Sequence, residues 1–249
     1  MTSHHHPGNH DHGVRASQDP SPPSDSHDFD AQWWERHYQD AGCQHVGCQH
    51  AGCQDAGCQD AGTGTGGEPS AQLVAEVAGL APGTVLEAGC GTGADAVWLA
   101  GQGWDVTAVD VSPTAVQQAR ALAAQHEPGP GPISWLVADL TSWQPPHRYD
   151  LVVSQYVHPD LPFGEFAARL AQAVGPGGTL LVVGHDHADS HSAGHAPRAA
   201  SIGIDAVVGA LAAGQWEVMV AETRTRQVTR GSGQLSIADL VVKARRRAA

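Results

Sequence analysis

Three glycines at every second position, Gly89, Gly91 and Gly93, follow the apolar pair Val85-Leu86 and an acid, Glu87. With no Cβ in the way, such a backbone can come within contact distance of a ligand. A strand that meets a glycine turn and then a helix can hold a small polar molecule, although many α/β folds contain one. Two more acids stand at the tips of apolar runs. Asp110 closes the run that starts at Trp104, and Asp139 closes the run that starts at Ile133. In nucleotide-binding folds a carboxylate at the end of the second strand accepts hydrogen bonds from ribose hydroxyls. A fourth signal is Pro176-Gly177-Gly178, where a helix stops and the buried run Thr179 to Gly184 begins.

The elements that must position these residues follow from periodicity and punctuation. Helices are expected over 69–79, 93–101, 113–126, 162–174 and 203–213, and a short amphipathic one over 29–40 with Trp33, Trp34, His37 and Tyr38 at helical spacing. Strands are expected over 84–88, 104–110, 133–138, 149–154, 178–184, 215–222 and 235–243. Ser112-Pro113 caps and starts its helix, with proline at a first-turn position where its missing N–H costs nothing. Alternating strand and helix implies an α/β fold, a doubly wound and mostly parallel seven-stranded sheet with helices on both faces. A hairpin-like turn at Gly231-Ser232-Gly233 makes one strand antiparallel at the sheet edge. Ligands of such sheets sit at the carboxyl ends of the strands, where the strand order reverses.

The ordered set Glu87-Ala88-Gly89-Cys90-Gly91-Thr92-Gly93, Asp110, Ala138-Asp139-Leu140 and Pro176-Gly177-Gly178 resembles the motifs of class I S-adenosylmethionine (SAM)-dependent methyltransferases, from about Glu68 to the C-terminus. Phe29 to Tyr38, Ala94 to Ala100 and Val183-Gly184-His185-Asp186 are similar to the small-molecule group that includes tellurite-resistance and thiopurine methyltransferase-like proteins. The resemblance implies a Rossmann-like fold with SAM as methyl donor. It also implies that Glu87 and the Gly89, Cys90, Gly91 and Gly93 backbone hold the methionine portion, and that Asp110 holds the ribose diol. Asp139 then accepts from the adenine amino group, Val111 and Leu140 sandwich the ring, and Gln155 lies near the sulfonium. Tyr156, His158 and His185 follow strands four and five and are candidates for the substrate side; no catalytic base is assigned. The implied acceptor is a small molecule, with a soft sulfur, selenium or tellurium nucleophile ahead of nitrogen or oxygen.

Composition narrows the alternatives. The 249 residues carry 26 acids against 13 lysines and arginines, for a net charge of −13. Between Glu68 and Ala200 the cationic side chains are Arg120, Arg148, Arg169 and Arg198, so no basic stripe faces a nucleic acid. No apolar run approaches a membrane span, and no basic-then-apolar leader opens the chain. A cytoplasmic, soluble protein, with a monomer favoured, is expected. Residues 1–28 are rich in His, Pro, Ser, Asp and Gly, and disorder is expected there.

Residues 41–67 contain a five-residue repeat, AGCQH or AGCQD, that matches neither helix nor strand period. Its Cys43, Cys48, Cys53 and Cys58 lack the paired spacing of zinc sites, so a linker is expected and no metal is assigned. The methyltransferase domain is then residues 68–249. Two other classes stay open. One is a non-enzymatic metal-binding or resistance protein using the His- and Cys-rich N-terminus. The other is an NAD-dependent oxidoreductase, whose Gly-x-Gly-x-x-Gly fingerprint differs from Gly89-x-Gly91-x-Gly93.

Overall fold

The structure, a computed structural model, describes residues 30–43, 67–186, 203–230 and 233–248. The expected tail over 1–28 and most of the repeat linker lie outside the described residues. The chain runs α1 (Ala31–Cys43), α2 (Ala71–Val77), β1 (Thr84–Ala88), α3 (Ala94–Gly101), β2 (Asp105–Asp110), α4 (Pro113–Ala123) and β3 (Ile133–Val137). It continues through β4 (Tyr149–Gln155), α5 (Phe163–Ala173), β5 (Val174–His185), α6 (Ile204–Ala210), β6 (Trp216–Arg230) and β7 (Gly233–Arg246).

The strands form one seven-stranded sheet in the order β3-β2-β1-β4-β5-β7-β6. β1 to β5 pair in parallel, and β7 is antiparallel to both β5 and β6. The antiparallel strand expected at the edge is therefore β7, set beside the border strand β6. From β1 the chain steps outward through β2 to β3, then returns to the other side of β1 as β4. The strand order thus reverses between β1 and β4, and the carboxyl ends of those two strands open the crevice that such sheets use for ligands.

Strand periodicity splits the core into two layers. Val85, Leu151, Val153, Leu181 and Val183 face the layer that contains Leu73 of α2 and Leu99 of α3. Their neighbours Leu86, Val152, Leu180 and Val182 face Phe166 and Leu170 of α5 and Val207 of α6. Sheet residues covered on both faces read as continuous apolar runs, which explains the sequence of β4 and β5. α4 begins as expected: Ser112 Oγ accepts from the Ala115 N–H at 3.1 Å, and Pro113 follows the cap.

Two elements differ from the sequence reading. α5 passes directly into β5 at Val174, four residues before the expected strand start. The Gly/Pro turn is absorbed as an irregularity in the ladder: Tyr149 pairs with Val174 and Leu151 with Thr179. The last two strands are also longer than their apolar segments, and their ladder continues to the Arg230–Gly233 pair. Backbone pairing carries this hairpin through polar residues such as Arg224, Thr225 and Gln227, where no hydrophobic alternation marks a strand.

Candidate functional site

The turn after β1 folds onto the end of β2. The N–H groups of Gly89 and Cys90 both donate to the Val109 carbonyl, at 2.8 and 2.9 Å. Gly91 N–H donates to Asp110 Oδ2 at 2.8 Å, and Ser112 N–H to Asp110 Oδ1 at 2.9 Å. Asp110 thereby fixes the glycine turn and the start of α4 together, and each oxygen retains lone-pair capacity for a ligand hydroxyl. Gly89 sits at φ +88°, and a Cβ there would strike Val157 Cγ2 at 2.2 Å. Glycine is needed at this point both for the left-handed backbone and for the space.

These residues line a cavity of about 410 Å³, within the range that holds small ligands and cofactors. Its floor includes Glu87, Gly89, Cys90, Gly91, Asp110 and Val111. One wall carries Asp139 and Leu140 after β3, and another carries Gln155, Tyr156 and His158 after β4. Trp34 and Tyr38 of α1 form the roof. Nine of the ten expected cofactor residues and two of the three substrate-side candidates are brought together.

Gly93 and His185 are the exceptions. Gly93 caps α3 at φ +86°, and a Cβ there would meet Ala119 Cβ at 2.7 Å and the Trp135 ring at 2.8 Å. It lets α3 pack against α4 and β3, and it is not among the described residues that line the cavity. His185 stays behind the wall. Its ring packs on Tyr156 with centroids 4.6 Å apart, and its Nδ1 lies 3.5 Å from Asp239 Oδ1.

The acids of the floor are buried, and burial sets their protonation. Glu87 is 4 % exposed, and its Oε2 has no hydrogen-bond partner. Burial, then the charges of Asp95 and Asp110, hold its carboxyl well above the usual carboxylate range. Burial pushes Asp95 up to about 6, against hydrogen bonds from Ser70 N–H and the Gln155 amide that favour the charged form. Burial also raises Asp110, against backbone N–H donors that include Ser112 and Gly91. An unpaired buried carboxylate oxygen beside a glycine cradle suits a ligand with an ammonium group. The residues present therefore fit the methionine end and ribose of SAM.

Tyr156 is held from behind. Its hydroxyl donates to Asp239 Oδ2 at 3.1 Å, and Asp239, on β7, is 0 % exposed. Arg226 Nε donates to the same oxygen at 2.7 Å, and its guanidinium lies over the Tyr156 ring at 5.7 Å. Burial raises the phenol pKa, with the Asp239 charge acting in the same direction. The ring, with its backbone at φ +53°, is therefore part of the wall while its hydroxyl is engaged behind it.

The roof is clasped by Glu35. Its carboxylate accepts from Ser112 Oγ and Thr114 Oγ1, both at 2.6 Å, and from Thr114 N–H at 3.2 Å. Those hydroxyl bonds lower its pKa to about 2. Gln118 Nε2 adds a bond to the Tyr38 carbonyl at 3.2 Å. Asp30 caps α1 by accepting from Trp33 N–H at 2.7 Å. Sequence reasoning missed Asp95, Glu35 and Asp239, whose partners lie far along the chain. Among the described residues, no group of three or more His, Cys, Asp or Glu is placed to hold a metal ion, and no helix is long and apolar enough to cross a membrane.

Comparison with known proteins gives a methyltransferase domain family over residues 85–178. Trans-aconitate 2-methyltransferase of Methylobacterium radiotolerans is 31% identical over 153 residues, covering 57% of this chain and 56% of that protein. Probable thiol methyltransferase 2 of Arabidopsis thaliana is 31% identical over 116 residues, covering 45% of this chain and 50% of that protein. The chain thus spans about half the length of the curated relatives it matches. The N-methyltransferase NodS of Bradyrhizobium japonicum WM9, solved with S-adenosylhomocysteine, superposes with a TM-score of 0.56 at 20% identity, covering 84% of this chain and 98% of that one.

Proposed function

We propose that this chain, a class I SAM-dependent methyltransferase by domain match and fold, transfers a methyl group to a small-molecule acceptor, with a sulfur-type nucleophile ahead of nitrogen or oxygen. The observation that carries the reading is the buried, unpaired Glu87 Oε2 beside the Gly89–Gly91 cradle, under an aromatic roof. The probable thiol methyltransferase relative supports the sulfur preference.

When bound, SAM supplies a methyl group already activated on a sulfonium, and transfer is an in-line displacement. The protein's work is then proximity and orientation. Glu87 receives the ammonium, Asp110 the ribose diol and Asp139 the adenine amino group, while Val111 and Leu140 flank the ring. Gln155, its amide fixed by Asp95, borders the reacting centre. Tyr156 and His158 shape the acceptor side. α1 closes over the cavity and excludes water, which strengthens electrostatic interactions inside. A thiolate arrives without its proton, so the chain needs no dedicated base for such an acceptor.

The test is release of S-adenosylhomocysteine across thiols, chalcogen oxyanions, amines and phenols. Turnover with thiols or chalcogen species supports the full reading. Turnover only with amines or phenols retains methyl transfer and removes the sulfur preference. Full activity on oligonucleotides or tRNA overturns the small-molecule reading.

A further inference from the structure

The roof carries one polar group that the proposed function leaves without work, the hydroxyl of Tyr38. Tyr38 lines the cavity together with Asp110 and Cys90. Among the described residues its phenol oxygen has no hydrogen-bond partner; the bond from Gln118 Nε2, at 3.2 Å, goes to the backbone carbonyl. Burial raises the phenol pKa, and the charges of Asp110 and Cys90 act in the same direction. The hydroxyl therefore keeps its proton and faces those two residues. Its position is set from α4. Glu35, three residues earlier on α1, accepts from Ser112 Oγ at 2.6 Å, and Ser112 N–H donates to Asp110 Oδ1 at 2.9 Å. Trp34, one turn before, packs on the Tyr38 ring with centroids 6.2 Å apart.

So anchored, α1 holds a hydroxyl donor opposite a carboxylate acceptor, and the two do not bond each other. Asp110 takes the Gly91 and Ser112 N–H groups and keeps lone pairs in hand. A ligand group that joins them must accept from a phenol and donate to a carboxylate at once. An alcohol does both with one oxygen, whereas an ammonium only donates and a carboxylate only accepts. Resting on the proposed seat of the SAM ribose at Asp110, we infer that Tyr38 is a cofactor-binding residue: its O–H donates to a ribose hydroxyl that itself donates to Asp110. The ribose then bridges roof and floor, and ties α1 to the sheet beside the Glu35 clasp.

The experiment is a cycle between one protein group and one ligand group. S-adenosylhomocysteine and its 2′-deoxy and 3′-deoxy analogues are each titrated by calorimetry into the full chain, wild type and Tyr38→Phe. The phenylalanine keeps the ring packed on Trp34 and removes only the hydroxyl. The variant is expected to bind S-adenosylhomocysteine about fivefold more weakly, the effect of one lost hydrogen bond. With the analogue that lacks the bridging hydroxyl, variant and wild type should agree within about twofold, because the partner of the phenol is already gone. A loss of the same size with all three ligands makes Tyr38 a packing residue and overturns the inference. A variant that binds S-adenosylhomocysteine as tightly as the wild type overturns it too, and leaves the cofactor reading standing. If the wild type binds none of the three ligands, the cofactor reading fails and the role of Tyr38 fails with it.

Discussion

Glu87 shows how a single side chain can cost stability and still be kept. Its carboxyl is held above its ordinary value of 4.5, so the folded chain retains a proton that the unfolded chain has lost. Stability from this group is greatest below 4.5, falls as pH rises through the gap, and stays reduced above the folded value. Glu87→Gln should therefore leave the ligand-free protein as stable as the wild type or more so near neutral pH. Its melting temperature should also fall less between pH 4.5 and neutrality. The same change should weaken S-adenosylhomocysteine binding roughly tenfold or more, since it removes a charge-assisted bond. Scanning and titration calorimetry check both halves; unimpaired binding would remove Glu87 from the site. Asp110→Ala strands the Gly91 and Ser112 N–H groups, and a loss of ~1–3 kcal/mol in binding is expected by titration. Tyr156→Phe keeps the ring and loses the bond to Asp239, so stability should fall by ~1 kcal/mol with turnover within a few-fold. Abolished turnover in a folded Phe variant would instead give the hydroxyl a chemical task. Glu87, Asp110 and Asp139 were legible because each is an acid at the tip of an apolar run. Asp95 was not: a first-turn acid reads as a helix-terminus charge. Its partners Ser70 and Gln155 lie 25 and 60 residues away.

Among the elements, α1 depends most on one contact set. Local propensity makes the helix, but Glu35 docks it on the N-terminus of α4. With its pKa lowered to about 2, Glu35 contributes docking that is fully present above pH 4.5 and is lost as pH falls toward 2. Glu35→Ala removes three hydrogen bonds at a helix start, a change of the size of a lost cap, ~0.5–2 kcal/mol. That loss should appear as faster S-adenosylhomocysteine release and altered Trp33 and Trp34 fluorescence, with little change in melting temperature. A large melting shift with unchanged release would make α1 a structural brace and not a lid. The helix was legible from its aromatic spacing, and its clasp was not, because Ser112 is 77 residues from Glu35. The strand ends failed in the same way: β6 and β7 are lengthened by mutual pairing, which a hydrophobic pattern cannot register.

At the scale of the molecule, the reversal between β1 and β4 brings residues 87–91, 110–111, 139–141 and 153–160 to one end of the sheet. The topology was readable because strand and helix alternate with clear punctuation, and the sheet then dictates which end gathers the acids. Among the described residues the β6–β7 hairpin adds none to the cavity lining, yet Asp239 and Arg226 support Tyr156 from it. The described cavity lining is drawn from residues 30–38 and 87–166. The five-residue period of the cysteine repeat matches no regular element that would bury it. Replacing Cys43, Cys48, Cys53 and Cys58 together by serine should thus leave S-adenosylhomocysteine affinity within about twofold, as expected for a surface connection that adds little to the core. Titration calorimetry on the four-serine variant decides it. A large loss of affinity, or stoichiometric zinc or copper released from the wild type, would make the repeat a structural strap that holds α1 over the cavity.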